Sequence, residues 1–304
     1  MVVVITGPTG VGKTKLSLEI ATHYNTAIIS GDSMQIYKGL DIGTAKASKE
    51  EQSLIKHHMI DILPPQESFS VALYQKQVRA LIEQFKLNNK LPLIVGGTGF
   101  YIKSVLHDFN FEASHPDEDF IKKHEPFDRE TLYEMLSEKD SEAARLIHPN
   151  NKKRVIQALY KTHNTSHHTS TKNGETPLYD YCLIVLRRNR ETLYQIINDR
   201  VDEMIENGLV QEAKKLYQSH PSLTAQKAIG YKELFEYFDG ATTLKESIEL
   251  IKRNTRRYAK RQFTYFYNQF EPFIIDVDNK SLSTLKNEAI QIIDNNMMKK
   301  KKTH

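Results

Sequence analysis

The segment GPTGVGKT, at positions 7–14, constrains the fold of this chain more than any other part of its sequence. It fills every fixed position of the phosphate-binding pattern G-x-x-x-x-G-K-[ST]. The preceding VVVIT (2–6) is typical of a buried parallel strand, and the following KLSLEIATHY (15–24) has apolar residues at helical spacing. A plain glycine turn is the alternative interpretation, but here motif and context agree. The pattern therefore predicts a P-loop α/β domain.

The residue types of this loop suit an oligophosphate ligand. Glycines let backbone N–H groups surround phosphate oxygens, and the N-terminus of the following helix adds its dipole. Lys13 can reach the phosphates, and the hydroxyl of Thr14 can hold Mg²⁺. The loop recognises the geometry of phosphate groups and not a nucleobase, so the motif does not single out ATP. The predicted diphosphate- or nucleotide-binding residues are Gly7, Pro8, Thr9, Gly10, Val11, Gly12, Lys13 and Thr14.

The first third of the chain alternates strands with helices. TAIIS (26–30) and LPLIVGG (91–97) predict two more short strands, and VALYQKQVRALIEQFK (71–86) predicts a helix between them. Such alternation is typical of an α/β sheet with helices on both faces. We expect a P-loop NTPase-like, doubly wound parallel sheet.

The amino-acid composition changes after about residue 107. Twelve acids and five Lys/Arg lie between Asp108 and Arg145, which predicts a polar, mostly helical insertion. YDYCLIVL (179–186) and FIIDV (273–277) predict further strands, and most of 190–270 has helical character. The C-terminal part is therefore expected to be largely helical. The predicted boundaries are 1–107 for the P-loop core, 108–178 for the helical insertion, 179–298 for the rest of the core with further helices, and 299–304 for a disordered basic tail.

Two further strand-end loops carry candidate site residues. In SGDSMQIYKGLDIGTAK (30–46), Asp32 could be a metal ligand, a general base or a helix cap. In GGTGFY (96–101), Thr98 could face the same crevice or cap the next helix. Ligands of open α/β sheets bind at the carboxyl ends of strands, which is where both residues fall.

The charge of the chain limits its partners. The net charge is +4, and Lys299–Lys302 alone carry four positive charges. Residues 245–265 hold seven Lys/Arg and two acids, so basic charge is concentrated there. A uniformly basic coat for nucleic acid is excluded, whereas a basic stripe is not.

Cysteine content and hydropathy favour an intracellular protein. Cys182 is the only cysteine, which excludes an internal disulfide or a multi-cysteine zinc site, and its apolar surroundings predict a buried structural residue. No apolar run approaches the roughly 18–20 residues of a membrane span, and MVVVITG lacks the charged leader of a secretory signal. The adjacent histidine pairs, His57-His58 and His167-His168, lack metal-ligand spacing. We expect a cytoplasmic protein without membrane association.

Seven blocks, spread in order over almost the whole chain, resemble the tRNA dimethylallyltransferase family (tRNA isopentenyltransferases). The stretch DS-x-x-IY-x-GLDIGTAK is not shared by ordinary P-loop kinases, which makes the resemblance specific. The blocks are GPTGVGKT (7–14), ISGDSMQIYKGLDIGTAK (29–46), PLIVGGTGFYIKS (92–104), IHPNN (147–151), LYQIINDRVDEMIENGLVQEA (193–213), TAQKAIGYKEL (224–234) and TRRYAKRQFTYF (255–266).

The resemblance implies a reaction and roles for named residues. Dimethylallyl diphosphate would donate its prenyl group to N6 of the adenosine 3′ of the tRNA anticodon, with diphosphate in the P-loop and Mg²⁺ at Thr14. Asp32 matches the family's general base, and Thr98 matches a threonine beside the reacting centre. Arg200 matches an arginine that binds the diphosphate. The implied catalytic residues are therefore Asp32, Thr98 and Arg200.

The resemblance also implies a tRNA partner, bound through its anticodon stem-loop by what we expect to be a monomer. Two positions depart from the family pattern: Asn151 replaces an acid, and Tyr265 replaces a tryptophan. Both leave the details of tRNA contact open. The implied tRNA-binding residues are Asp32, Ser33, Met34 and Gln35, then Lys153, Arg154, Val155, Ile156 and Gln157, and finally Lys227, Ala228, Ile229, Gly230, Tyr231 and Lys232.

Alternatives to this function stay open on sequence alone. A nucleotide or small-molecule kinase also needs a P-loop and Mg²⁺, an RNA-binding P-loop protein needs no prenyl chemistry, and a related prenyltransferase could act on free adenylate. Basic and aromatic residues alternate in RRYAKRQFTYFY (256–267), which suits RNA contact. Their helical spacing favours the other interpretation for the aromatics, an amphipathic helix with its rings in the core.

Overall fold

Short β-branched segments form the centre of the fold. The strands are β1 (Val2–Thr6), β2 (Ile28–Ser30), β3 (His57–His58), β4 (Leu93–Val95), β5 (Tyr181–Arg187) and β6 (Phe273–Asp276). They make one sheet in the order β3-β2-β4-β1-β5-β6, in which every pairing is parallel. The computed structural model describes residues 1–111, 118–164 and 174–301. Because β1 is an interior strand, the P-loop that follows it has strand-end loops on both sides.

Packed apolar side chains cover both faces of the sheet. Val2 and Val4 of β1 belong to one hydrophobic cluster, and Val3 and Ile5 belong to a second. Successive residues of a strand point to opposite faces, so the two clusters lie on opposite sides. The doubly wound parallel sheet predicted from the sequence is confirmed. Cys182, in β5, is fully buried in the second cluster, in agreement with a structural role.

Helices connect these strands and account for most of the remaining chain. Two short elements, β3 and α2, were not predicted, because two histidines and a six-residue polar helix carry no hydrophobic period. The helices are α1 (Lys13–His23), α2 (Lys49–Leu54), α3 (Val71–Leu87), α4 (Gly99–Leu106), α5 (Glu118–His124), α6 (Arg129–Lys139), α7 (Ser141–Leu146), α8 (Lys152–Asn164), α9 (Arg190–Glu206), α10 (Leu209–Gln218), α11 (Tyr231–Phe238), α12 (Leu244–Gln269) and α13 (Leu282–Lys301).

The chain divides into two compact units. Residues 1–106 and 178–304 form the larger unit, which contains the sheet, and residues 107–177 form the smaller one. The smaller unit contains α5 to α8 around its own apolar cluster, in which Leu132 and Leu136 are fully buried. Its limits differ by one residue at each end from the insertion predicted at 108–178.

The C-terminal helix extends further than the sequence suggested. The basic tail was predicted to begin at 299, whereas α13 continues to Lys301. Methionine and lysine are good helix formers, and neither glycine nor proline interrupts the segment after Leu282. The remainder of that tail, 302–304, lies outside the described residues. Within the described ranges, no helix is long and apolar enough to cross a membrane.

One carboxylate fixes the long loop that follows β2. Glu212 of α10 accepts hydrogen bonds from the backbone N–H groups of residues 41–43 at 3.0–3.1 Å, and from the hydroxyl of Tyr231 at 2.6 Å. Lys46, whose side chain is almost fully buried, forms an ion pair with Asp61 at 2.6 Å. The loop is therefore tied to the helical layer at its far end, which restricts how the near end can move.

Candidate functional site

The phosphate loop between β1 and α1 folds tightly around its own lysine. Gly7 has a φ of 143°, and a Cβ there would lie 2.6 Å from the carbonyl oxygen of Leu186, so only glycine fits. The ammonium of Lys13 donates hydrogen bonds of 2.9 Å to the carbonyl oxygens of the first two loop residues. The loop is thus preformed around a cation at the N-terminus of α1, which suits an anionic ligand.

Two cations and one carboxylate meet beside this loop. Burial lowers the pKa of Lys13 to about 8, although the charge of Asp32 opposes the shift; the charge of Arg200 lowers it further. Burial also lowers the pKa of the Arg200 guanidinium, against the influence of Glu203 and Glu51. Arg200 and Asp32, which are 168 positions apart in the chain, therefore act on the same ammonium. The structure brings together three of the side chains that the sequence singled out.

Asp32 lies in a turn directly after β2. Its Oδ1 accepts a hydrogen bond from the N–H of Met34 at 2.8 Å. No helix begins between Asp32 and the start of α2 at Lys49, so the helix-cap alternative is excluded. Burial raises the pKa of Asp32, against the Met34 hydrogen bond and the charge of Lys13. A carboxylate with a raised pKa accepts a proton more readily than an exposed one, which suits a general base.

The loops that follow β2 and β4 touch through their backbones. A Cβ at Gly96 would lie 2.3 Å from the carbonyl carbon of Gly31, so these two chain segments can approach this closely only because position 96 lacks a side chain. Thr98 lies two residues further on, and its N–H donates to the carbonyl oxygen of Gly31 at 3.0 Å. Its Oγ1 accepts the N–H of Ser33 at 3.0 Å. Thr98 therefore holds the residue next to Asp32.

Helix α12 contributes two site residues that the sequence analysis did not assign. Gln262 is buried, accepts the N–H of Thr9 at 2.9 Å and donates to the carbonyl oxygen of Gly97 at 3.1 Å. Burial, and after it the charge of Asp32, raise the pKa of Tyr258 to about 12, while the nearby side chains of Thr98 and Gln262 lower it. The one signal for Gln262 in the sequence was a polar residue on the apolar side of an amphipathic helix, and the aromatic residues around it obscured that signal.

The aromatic residues of α12 do not share one environment. Phe266 is fully buried in the core, as the helical spacing predicted, whereas Tyr267 is 59% exposed. Tyr265, where the resembled family has tryptophan, packs on Gly99. A Cβ added at Gly99 would lie 2.2 Å from the Tyr265 ring. The interpretation that the aromatic side chains of α12 lie in the core therefore holds for part of the helix only.

The residues implied for tRNA contact at 33–35 adjoin Asp32. The Gln35 amide accepts from the Ser30 hydroxyl at 3.1 Å and donates to the carbonyl oxygen of Thr44 at 3.3 Å. The side chain of Met34 packs against the main core. These contacts shape the turn, and all three residues of the segment remain partly exposed.

The segment 227–232 is partly internal. Ala228 and Tyr231 are buried, and the hydroxyl of Tyr231 donates to Glu212. Lys227 is exposed, and Lys232 forms an ion pair with the buried Glu233 at 3.4 Å. The lysines therefore offer charge at the surface, while the residues between them anchor the turn.

The segment 153–157 lies on α8 of the smaller unit. Val155 and Ile156 are buried in that unit's apolar cluster, so their side chains are not available to a partner. Lys153 and Arg154 are exposed, and Gln157 is partly exposed. Contact with RNA by this segment is thus limited to the polar face of the helix.

The basic residues on α12 differ in their exposure and in their hydrogen bonds. Arg256 is partly buried and donates to the side-chain oxygen of Asn198 at 2.5 Å. Arg253, Arg257 and Lys260 are exposed. The exposed side chains, and not Arg256, are the ones that can meet phosphates without losing an internal hydrogen bond.

The fold is P-loop-like, and in it the phosphate-binding motif of the sequence lies close to a carboxylate that could act as a base. The chain matches the family model described as IPP transferase over residues 35–269, more than two thirds of its length. It therefore belongs to the IPP transferase family.

Relatives and solved structures agree with this membership. The chain is 50% identical over 278 residues to the tRNA dimethylallyltransferase of Bacillus pumilus, covering 89% of this chain and 87% of that protein. It is 47% identical to the tRNA dimethylallyltransferase of Bacillus subtilis, with 95% of each covered. The crystal structure of a full-length tRNA isopentenylpyrophosphate transferase from Bacillus halodurans is 42% identical, with 99% and 98% covered and a TM-score of 0.78. A eukaryotic dimethylallyltransferase acting on tRNA is 28% identical over 98% of this chain and 79% of that one, with a TM-score of 0.85.

The lowered pKa of Lys13 predicts a pH dependence for anion binding. We expect affinity for inorganic pyrophosphate to fall as pH rises through about 8, because the ammonium then loses its proton. The Lys13→Arg variant is the matched control, since a guanidinium stays charged throughout this range. Isothermal titration calorimetry between pH 7 and 9.5 measures both proteins. Equal pH dependence in the two would contradict the assignment of Lys13 as the titrating group.

Proposed function

We propose that this protein transfers the dimethylallyl group of dimethylallyl diphosphate to N6 of the adenosine 3′ of the anticodon in tRNA, which yields N6-isopentenyladenosine and diphosphate. The observation that carries the proposal is the proximity of Lys13, Arg200 and Asp32 in one partly buried site. A phosphate cradle and a carboxylate base are both needed for this reaction. Membership of the IPP transferase family supports the same chemistry.

The leaving group needs neutralisation of its charge. When the C–O bond of the allylic diphosphate breaks, the electron pair stays on the diphosphate, while positive charge spreads over the allyl group. Lys13 is held by two loop carbonyl oxygens, and Arg200 lies close enough for its charge to act on Lys13, so both would stabilise that charge. Burial strengthens each of these interactions relative to water.

Mg²⁺ fits the residues present at the P-loop. Among the described residues there is no group of three or more His, Cys, Asp or Glu side chains that could hold a metal alone. Mg²⁺ commonly needs only one or two protein oxygens when substrate phosphates complete its shell. Thr14, partly exposed at the start of α1, would supply its hydroxyl. When bound, the ion would neutralise further charge on the diphosphate.

The acceptor amine needs a base, because its lone pair is delocalised into the adenine ring. Asp32 takes the proton as the C–N bond forms, so the product leaves the site as a neutral secondary amine. The carboxylate is fixed at one oxygen by the Met34 N–H, and Thr98 holds the adjoining residue. An adenine in an anticodon loop reaches such a crevice by turning out of its stack, which is cheap in single-stranded RNA.

Residues on the polar faces of the implied tRNA segments would grip the anticodon stem-loop. Charged groups supply phosphate contacts, and partly exposed aromatics of α12 can stack on bases. We expect the enzyme to act as a monomer in the cytoplasm, on tRNA and not on a membrane. The side chains available for this role are Ser33, Gln35, Lys153, Arg154, Gln157, Lys227, Lys232, Arg253, Arg257 and Lys260.

The defining experiment offers the purified protein labelled dimethylallyl diphosphate and unmodified tRNA. We expect transfer to tRNA in wild type, and a fall in kcat of about 100- to 10,000-fold in Asp32→Asn and Asp32→Ala, since general base catalysis contributes that much. tRNA affinity should persist in both variants. The control is Asp294→Asn on α13, whose carboxylate accepts from Tyr24 and whose replacement keeps an oxygen acceptor.

Three outcomes would contradict the proposal. Phosphoryl transfer from ATP in place of prenyl transfer would indicate a kinase. Preference for free adenylate over tRNA would indicate the related prenyltransferase. If Asp32→Ala weakens tRNA binding and leaves turnover of bound tRNA intact, then Asp32 is a binding residue and not a base.

The salt dependence of tRNA affinity tests the basic face of α12. Replacing Arg257 and Lys260 by Gln should weaken binding and reduce the slope of log K against log salt by up to about two, because each phosphate contact contributes roughly one. Lys214→Gln with Lys215→Gln, at exposed positions on α10, is the charge-matched control. An unchanged slope in the α12 variant would show that this face does not contact phosphates.

A further inference from the structure

Helix α12 joins the phosphate side and the base side of the site through one buried amide. The Oε1 of Gln262 accepts the N–H of Thr9 in the P-loop, at 2.9 Å. Its Nε2 donates to the carbonyl oxygen of Gly97, in the loop after β4, at 3.1 Å. Gln262 is 5% exposed, and a Cβ on Gly97 would lie 2.0 Å from its Nε2. The amide therefore fills the gap between two strand-end loops and bonds to both.

Tyr258 lies one helical turn before Gln262 and extends the connection toward the base. The side chains of Thr98 and Gln262 and the charge of Asp32 all act on the pKa of its hydroxyl, so this hydroxyl lies near all three residues. Thr98 in turn accepts the N–H of Ser33 at 3.0 Å. Gln262, Tyr258 and Thr98 thus lie next to one another between the P-loop and the residue that follows Asp32.

We propose that Gln262 and Tyr258 are positioning residues that set the distance between the donor's leaving group and the base. The inference rests on the proposed function, because it assigns the donor to the P-loop and the proton to Asp32. Neither residue needs to touch a reacting atom. Each acts through a loop: Gln262 through Thr9 and Gly97, and Tyr258 through Thr98.

Such a connection matters because substitution at an allylic carbon requires three groups in line. The amine, the carbon and the leaving oxygen must align, and misplacement by about 1 Å can cost about 100-fold in rate. The P-loop and the Asp32 turn belong to different connections of the sheet, which β4 separates. Backbone contact fixes the turn after β2 against the loop after β4. Gln262 adds the missing link between that pair of loops and the P-loop.

The test separates positioning from binding. In Gln262→Met, which keeps the side-chain length and loses both hydrogen bonds, we expect kcat for prenyl transfer to fall about 10- to 100-fold, by the misplacement argument. The Kd for inorganic pyrophosphate and the Kd for tRNA, each measured alone, should stay within about threefold, since the phosphate-binding and RNA-binding groups are intact. Gln269→Met is the matched control: the same change on the same helix, at an exposed residue that accepts from Lys103.

Tyr258→Phe provides the second variant, because it removes the hydroxyl and keeps the ring. We expect a smaller fall in kcat than in Gln262→Met. The double variant should lose about as much as Gln262→Met alone, since residues of one network are not additive. Thermal denaturation of each variant reports whether the fold is intact.

The outcomes are distinct. A kcat of Gln262→Met within twofold of wild type overturns this inference and leaves the proposed function standing. A loss of kcat that occurs only together with loss of both binary affinities and of the melting transition also overturns it, because the residue is then structural. If the losses of kcat in the double variant multiply, the two residues act independently, which contradicts their coupling in one network. Absence of prenyl transfer by the wild-type protein overturns the proposed function itself.

Discussion

The site depends on a backbone contact between two glycines. Gly31 and Gly96, at the ends of neighbouring strands, approach so closely that a Cβ on Gly96 would lie 2.3 Å from the Gly31 carbonyl carbon. This approach allows Thr98 to bond to the turn that carries Asp32. The same loop offers the Gly97 carbonyl oxygen to Gln262, which bonds to the P-loop. The position of Asp32, the proposed base, relative to the phosphate loop therefore depends on backbone geometry.

Close packing at the strand ends also sets the electrostatics. Lys13, Arg200 and Asp32 are each only partly exposed to water, and this burial lowers the pKa of the two cations and raises that of the carboxylate. The carboxylate becomes a better proton acceptor, and the desolvated cations interact more strongly with an incoming diphosphate. The bound diphosphate would in turn favour the protonated form of Lys13.

Sequence reasoning indicated the sheet, the P-loop motif, Asp32 and Thr98 from local signatures or strand-end positions, and it indicated Arg200, inside α9, only through resemblance to the family. The six-strand order could not be read from the chain, since β3 has only two residues and no hydrophobic period. Gln262 was missed for a related reason: its partners, Thr9 and Gly97, are 253 and 165 positions away. Side-chain roles within the implied tRNA segments also depended on tertiary packing, which buries Val155, Ile156 and Tyr231.

The most direct measurement of the central claim is the pKa of Asp32, followed by NMR of a protein with ¹³C-labelled aspartate carboxyls. If phosphate loop and base share one desolvated site, the pKa of Asp32 lies above its ordinary 3.8 and rises further in Lys13→Met, which removes the neighbouring charge. A control titration of Lys15→Met, an exposed position on the same helix, should leave it unchanged. An Asp32 that titrates at or below 3.8, or that does not respond to loss of Lys13, would contradict the account.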